Sequence, residues 1–219
     1  MTPTAVPNDA STAGRVAAIE HARGVEIVTA SIGKADTYPE LPWRACALAA
    51  SIAALAVAVA DVLRPDWVSS TTLLVALAFV LLSGAAAALA VAWVPAFARL
   101  FLDAPRADVE ARQYARTFFL ERQLFRTRRR NGILLLIARF EHRVELVADI
   151  GFDGRIAAHE WETVIPPMLG PLREGRIDEA FARGLEALDA LLASRGYRGT
   201  PGAANELPDA TIDEAGEDR

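Results

Sequence analysis

The chain has 219 residues, of which 53% are hydrophobic, and a formal net charge of -5 at pH 7. Its tail, 199–219, holds six acidic residues and one arginine. The tail therefore accounts for the net negative charge, and the rest of the chain is close to neutral. The single cysteine, Cys46, excludes an intramolecular disulfide.

The amino-terminal part of the sequence is predicted to contain one helix and one strand. Residues 1–11 are predicted to be disordered, and the helical spacing of apolar residues then predicts a helix over 12–22. Alternating β-branched residues predict a strand over 25–30. Residues 12–38 therefore form the first part of an α/β domain, and Pro39 begins a linker.

Two long stretches without charge, 45–60 and 67–98, predict a transmembrane hairpin over 43–98 with spans 43–63 and 70–93. About 20 apolar residues suffice for a helix to cross the hydrocarbon core. The alternative is a helical hairpin buried in a soluble protein, but 32 consecutive uncharged residues are hard to bury in so small a domain. Three tryptophans stand where a membrane interface favours them and are predicted anchors: Trp43, Trp67 and Trp93.

The basic residues near the ends of the two spans predict their orientation. Arg64 alone lies on the far side, and the positive-inside rule therefore places both termini in the cytoplasm. The expected location is the cell inner membrane, with two spans and an interfacial segment at 99–106. The near side carries six basic residues: Lys34, Arg44, Arg99, Arg106, Arg112 and Arg116.

Residues 107–197 are predicted to complete the α/β domain. A helix is expected over 108–123, followed by strands over 133–138 and 144–148 that form a β-hairpin. The composition of 198–219 predicts a disordered acidic tail. A second long helix is indicated by apolar residues at spacings of three and four: Ile177, Phe181, Leu185, Leu188 and Leu192.

Several short stretches of the soluble part carry a family resemblance. They are Ile19-Glu20 with Glu26-Ile27-Val28; Ala115 and Phe118 with Thr127 and Arg130 to Leu134; Glu141, Arg143, Val144, Asp149 and Gly151; and Trp161 with Leu172, Arg173, Gly175 and Arg176. In order and spacing they resemble the TPM domain family, whose members include thylakoid-lumen and bacterial proteins. The chain departs from the family at Arg23, Ile150 and Phe152.

The resemblance implies a three-layer α/β/α sandwich with a small sheet, here interrupted by the transmembrane hairpin. It also implies two competing functions. Some members of the family are acid phosphatases and some bind calcium or another divalent cation, whereas others are accessory factors of membrane protein complexes.

The loops that follow strands are where open α/β sheets bind ligands, and hard cations prefer carboxylate oxygens there. Asp149 and Asp153 follow one predicted strand, and Asp36 follows the first. Asp149 with Asp153 is therefore the predicted metal site, for calcium or another divalent cation. The alternative is that both aspartates only turn the chain.

Four charged residues at family positions are candidates for contacts with phosphate or with a partner: Arg130, Arg143, Glu26 and Glu141. For the two glutamates, simple solvation at strand edges is the alternative. The neighbouring arginines at 126, 128 and 129 are expected to attract anionic lipid instead. Nucleic acid is not an expected partner, because the basic residues lie near the membrane without interleaved aromatics.

The leading hypothesis is thus a membrane-anchored accessory or interaction module, with the lipid bilayer and a membrane protein complex as its partners. A metal-dependent hydrolase resembling an acid phosphatase is the alternative, and whether the chain is an enzyme stays open. No catalytic residue is assigned.

Overall fold

The computed structural model describes residues 9–64, 69–199 and 206–217. These form two compact units. The first unit combines Met1–Asp36 with Pro105–Arg219, and the second is Thr37–Ala104. The second unit therefore lies within the sequence of the first, as the predicted insertion requires.

The helices in chain order are α1 (Asp9–Arg23), α2 (Glu40–Leu63), α3 (Ser70–Trp93), α4 (Pro95–Ala98), α5 (Ala104–Glu121), α6 (Ala158–Trp161), α7 (Pro166–Arg173) and α8 (Ile177–Ser194). Short 3₁₀ turns occupy Arg99–Phe101, Ile150–Phe152 and Glu162–Val164. The strands are β1 (Glu26–Lys34), β2 (Gly132–Ala138), β3 (Arg143–Ala148) and β4 (Ile212–Gly216).

The first unit is built on a four-stranded sheet with the order β3-β2-β1-β4. β1 pairs in parallel with both β2 and β4, whereas β2 and β3 form the predicted antiparallel hairpin. Every residue of β2 is buried, because helices cover both of its faces. This burial explains why β2 is a continuous apolar run rather than an alternating one.

Side chains of alternating strand residues build a core on each face of the sheet. Ile27 and Ile133 pack among α1 and α8, and Leu135 packs among α7 and α8. Val28 and Leu134 point to the opposite face, where they pack against α5. The unit is therefore the predicted three-layer α/β/α sandwich.

The carboxyl-terminal segment corrects one prediction. Disorder over 198–219 is wrong for residues 212–216, which form the edge strand β4, and residues 206–217 are described throughout. The acidic side chains of this segment have basic partners on the rest of the unit. Glu214 pairs with Arg122, and Asp213 lies 3.2 Å from Arg139.

Two smaller boundaries also differ from the predictions. Helix α1 begins at Asp9, so residues 9–11 are helical rather than disordered, and residues 1–8 lie outside the described part. The predicted interfacial segment, 99–106, consists of the 3₁₀ turn Arg99–Phe101 and the start of α5.

The second unit consists mainly of α2 and α3, which have 24 residues each. Both are long and apolar enough to cross a membrane. Only 6% of the most apolar window of α2 and 11% of that of α3 are buried, so neither resembles the core helix of a soluble domain. The helices approach closely at Gly84, where a Cβ atom would lie 3.0 Å from the sulfur of Cys46.

Glu20 joins α1 to the sheet in the first unit. It is 9% exposed, and its Oε1 accepts a hydrogen bond of 2.6 Å from the backbone N–H of Ile27. Burial raises the pKa of Glu20 to about 8, the Ile27 hydrogen bond opposes this, and the nearby Asp209 adds to it. Glu20 therefore keeps its proton in the folded protein at neutral pH.

The close contact at Gly84 can be tested by overpacking. We expect Gly84→Leu to destabilise the hairpin by about 1–3 kcal/mol, because a side chain there collides with Cys46. Cys46 should then react faster with a maleimide in the detergent-solubilised protein. Ala85→Leu, at an exposed position of the same helix, is the control and should leave the rate unchanged. Equal rates in Gly84→Leu and the wild type would contradict this packing.

The raised pKa of Glu20 predicts a pH dependence. The pKa of Glu20 is about 8 in the folded protein and near 4.5 in the unfolded chain. The contribution of Glu20 to the free energy of unfolding is therefore complete below about pH 4.5 and is lost as the pH rises through about 8. Glu20→Gln keeps the acceptor for Ile27 and removes the charge. We expect the variant to melt several degrees above the wild type at alkaline pH, a gain on the order of 1–2 kcal/mol, and to match it in weak acid.

The measurement is thermal unfolding of the solubilised protein from weakly acidic to alkaline pH. Glu186→Gln, at an exposed position on α8, is the matched control and should melt in parallel with the wild type. Parallel curves for Glu20→Gln and the wild type would exclude a protonated Glu20 in the fold.

Candidate functional site

Strand direction decides which of the predicted site residues can meet. β1 and β2 are parallel, but β3 runs back, so the loop after β3 lies at the amino end of β1 and β2. The backbone confirms this, because Asp149 N–H donates to the carbonyl of Gly132 at 2.9 Å. Asp149 therefore lies at the opposite end of the sheet from Asp36, which follows β1.

Asp149 is 5% exposed and is engaged by Arg130. Its Oδ1 accepts hydrogen bonds from the N–H of Ile150 at 2.8 Å and from Nη2 of Arg130 at 3.0 Å, and its Oδ2 lies 2.9 Å from Nε of Arg130. One guanidinium thus contacts both carboxylate oxygens. Asp149 and Arg130 form a structural ion pair that holds the turn after β3.

The geometry does not fit the predicted metal site. Asp153 is exposed, and Asp149 is neutralised by Arg130, whereas calcium takes six to eight oxygen ligands. Over residues 9–64, 69–199 and 206–217, no group of three His, Cys, Asp or Glu could hold a metal ion. Binding of a divalent cation stays a prediction, and so does metal-dependent hydrolysis.

Arg130 is also fixed by its backbone. Its φ is +54°, and its carbonyl accepts a hydrogen bond of 2.9 Å from the N–H of Gly151. A Cβ atom at Gly151 would collide with that carbonyl, so this close approach requires glycine. The family positions Arg130, Asp149 and Gly151 are explained by the packing of one loop against another.

Glu26 fastens the carboxyl-terminal segment to β1. It is 8% exposed, and its Oε2 accepts hydrogen bonds from the N–H groups of Glu206 at 3.0 Å and Leu207 at 3.1 Å. Burial raises the pKa of Glu26, and these two hydrogen bonds oppose the shift. Glu26 is therefore buried and hydrogen-bonded, and the alternative that it is simply solvated at a strand edge is wrong.

Glu141 and Arg143 lie at the other end of the sheet. Glu141 is 5% exposed and accepts a hydrogen bond of 2.9 Å from the N–H of Ala35, just after β1. Arg143 forms an ion pair with Asp108 on α5. The four contact candidates thus separate into two groups at opposite ends, and the structure does not assemble them into one site.

At the carboxyl end of β1, a cleft of about 460 Å³ was not predicted. Its floor includes Ser31 of β1, which is 4% exposed and whose Oγ has no hydrogen-bond partner. We call this space the sheet-end cleft. Its lining consists of Ser31, Arg139, Gly175, Arg176, Ile177, Asp178, Glu179, Phe181, Thr211 and Asp213.

Sequence reasoning missed this cleft for two reasons. The predicted strand ended at residue 30, one position before Ser31, and the tail that supplies Asp213 was expected to be disordered. One signal was present: Ile27, Thr29 and Ser31 alternate along one face of β1, so polar groups replace apolar ones toward the carboxyl end of the strand.

The predicted membrane anchors stand at the ends of the two apolar helices. Trp43 is 76% exposed and Trp93 is 83% exposed, so neither ring is used in packing the second unit. Trp67 lies outside the described residues. The role of these side chains at a membrane interface stays a prediction.

Comparisons with known proteins agree with this fold. The sequence model of the TPM domain matches residues 86–191, and no curated protein matches the chain. The NMR structure of BA42 protein from the psychrophilic bacterium Bizionia argentinensis is similar, with a TM-score of 0.54 and 12% identity over 94% of this chain and 91% of that chain. At such low identity the likeness concerns the fold alone. Residues 86–191 therefore match a TPM domain, and the sandwich fold agrees with that match.

Proposed function

We propose that the chain is a membrane-anchored TPM-domain protein whose α/β unit is an accessory or interaction module at the cytoplasmic surface of the cell inner membrane. The observation that carries this proposal is the exposure of α2 and α3. Both are apolar over a length that spans a bilayer, and most of their large side chains are exposed.

Water is a poor solvent for such helices. Burying one large aliphatic side chain contributes about 1.5–3 kcal/mol, and contiguous apolar patches of this size are rare on soluble monomers. A bilayer removes this cost for every exposed side chain at once. The exposed set includes Leu48, Ile52, Leu55, Leu73, Leu74, Leu77, Phe79, Leu81, Leu82 and Leu89.

The insertion is compatible with a folded domain because its two ends are held together. Asp36, just before the second unit, lies 2.7 Å from Arg106, just after it. Arg106 also lies 3.6 Å from Glu110 one turn further along α5. An antiparallel helix pair returns the chain to its starting surface, so such an anchor attaches the α/β unit at two neighbouring points.

The engagement of the predicted site residues weighs against a hydrolase that would use them. Arg130, Arg143, Glu26 and Asp149 are committed to contacts within the unit that hold loops, a helix and the tail. A metal-dependent hydrolase needs such groups available to a metal or a phosphoryl oxygen. No described contact favours the hydrolase alternative.

Membrane insertion can be tested with an arginine placed in α3. Leu82→Arg puts a charge near the middle of the span, which costs about 2.5–3.5 kcal/mol during insertion. We expect this variant to be lost from the carbonate-resistant membrane fraction. Thr71→Arg, an exposed position near the helix end, is the matched control and should stay in that fraction. A wild-type protein released by carbonate would refute the anchor.

The proposed orientation can be tested with reporters fused after Arg219. A cytoplasmic carboxyl terminus should give a fluorescent green fluorescent protein fusion and an inactive alkaline phosphatase fusion. The opposite pattern would overturn the orientation while leaving membrane insertion intact. Adding arginines to the short link beside Arg64 should weaken the normal orientation, because they oppose the charge difference across the membrane.

A further inference from the structure

We propose that the sheet-end cleft binds a small zwitterion with an apolar body, such as an amino acid. The cleft lies at the carboxyl ends of parallel strands, where open α/β sheets place their ligands. Its volume of about 460 Å³ is within the range of small-molecule sites. This inference goes beyond the proposed function, because it does not depend on membrane attachment.

The floor of the cleft offers two oxygen acceptors side by side. Ser31 and Asp213 are register partners of neighbouring parallel strands, so their side chains point to the same face of the sheet. The Oγ of Ser31 and the Oδ1 of Asp213 are both buried and both lack a hydrogen bond of good geometry. A buried hydroxyl without a partner costs about 1–3 kcal/mol, so an ammonium group that donates to Ser31 Oγ beside the Asp213 carboxylate is favoured.

Arg139 supplies the complementary charge. Arg139 directly follows β2, and its side chain extends across β1 toward β4. Its Nη2 lies 3.2 Å from Asp213 Oδ1, but the angle of this contact does not make it a hydrogen bond. The amino end of α8, which also lines the cleft, carries the partial positive charge of the helix dipole. A ligand carboxylate would meet Arg139 and this helix end while its ammonium group meets Asp213.

Charge pairing distinguishes a zwitterion from a simple ion. A lone anion on Arg139 would draw it away from Asp213, and a lone cation on Asp213 would compete with Arg139 for the same carboxylate. Either ion alone weakens the Arg139–Asp213 contact and replaces only one side of it. A zwitterion replaces one poorly aligned ion pair with two, so both protein charges stay paired.

The remaining wall suits an apolar body. Phe181 is 1% exposed and Ile177 begins α8, and both face the cleft. The other two acidic residues of the wall, Asp178 and Glu179, lie in the first turn of α8, and Glu179 pairs with Arg176. A ligand with a branched aliphatic side chain would cover Phe181 and Ile177.

The test compares leucine with its two singly charged analogues. 4-Methylpentanoate lacks the amino group, and 3-methylbutylamine lacks the carboxylate. Calorimetric titration of the full detergent-solubilised chain should show leucine binding at least tenfold more tightly than either analogue, a difference of about 1.4 kcal/mol. Equal binding of either analogue, or no binding of leucine up to millimolar concentration, would overturn the proposal.

Variants locate the binding in the cleft. Ser31→Ala removes a hydroxyl that has no partner within the described protein, so we expect an unchanged or higher melting temperature together with at least fivefold weaker leucine binding. Asp213→Asn should weaken leucine binding and leave 4-methylpentanoate unaffected.

The matched control is Ser194→Ala, at the far end of α8, which should bind leucine as the wild type does. Unchanged leucine affinity in Ser31→Ala, or an equal loss in Ser194→Ala, would show that the ligand does not occupy this cleft.

Discussion

The parallel pairing of β1 with β2 is the constraint on which the rest of the structure depends. These strands form the centre of the sheet in the register Glu26↔Gly132 to Ile32↔Ala138, although both apolar helices and α5 lie between them in sequence. Any segment inserted there must return the chain to the end of β1 from which it left. A helix pair does so, and an ion pair links the two chain ends, with Arg106 Nη2 2.7 Å from Asp36 Oδ2. The core residues of the sheet can then pack on both faces as if the insertion were absent.

The other edge of the sheet depends on charged groups as well as on apolar packing. None of the five residues of β4 is fully buried, but Leu207 and Ile212 pack against the core on the α5 face, and β4 pairs with β1. Charged groups add further contacts: Glu26 accepts the N–H groups of Glu206 and Leu207, and Arg122 pairs with Glu214. These contacts tie the edge strand to β1 and α5. They also create the sheet-end cleft, because β4 supplies Asp213 beside Ser31.

The sequence predicts the elements whose pattern is local. It misses elements that become ordered only through contacts with residues far away in the chain. The short length of the apolar run favours a strand over a helix for β2, the periodicity of α8 indicates a helix, and both are confirmed. β4 was missed because acidic residues without large apolar neighbours are typical of disorder, and nothing local indicates that arginines elsewhere will pair with them. The strand pattern also does not show which loops share an end of the sheet: a hairpin reverses the chain, so Asp149 after β3 lies at the amino end of β2, opposite Asp36.

The same directional argument separates the two ends of the α/β unit by function. The chain leaves this unit at Asp36 and re-enters it at Pro105, both at the carboxyl end of β1, where the sheet-end cleft also lies. The basic run at 126–130 precedes β2 and therefore lies at the amino end, roughly 20–30 Å away along the strands. Within that run Arg130 is committed to Asp149, and the backbone of Arg128 donates to Glu206. Attraction of the arginines at 126, 128 and 129 to anionic lipid stays a prediction. The carboxyl end carries the chain connections to the second unit and the buried hydroxyl of Ser31 beside Asp213, so ligand chemistry is best sought there.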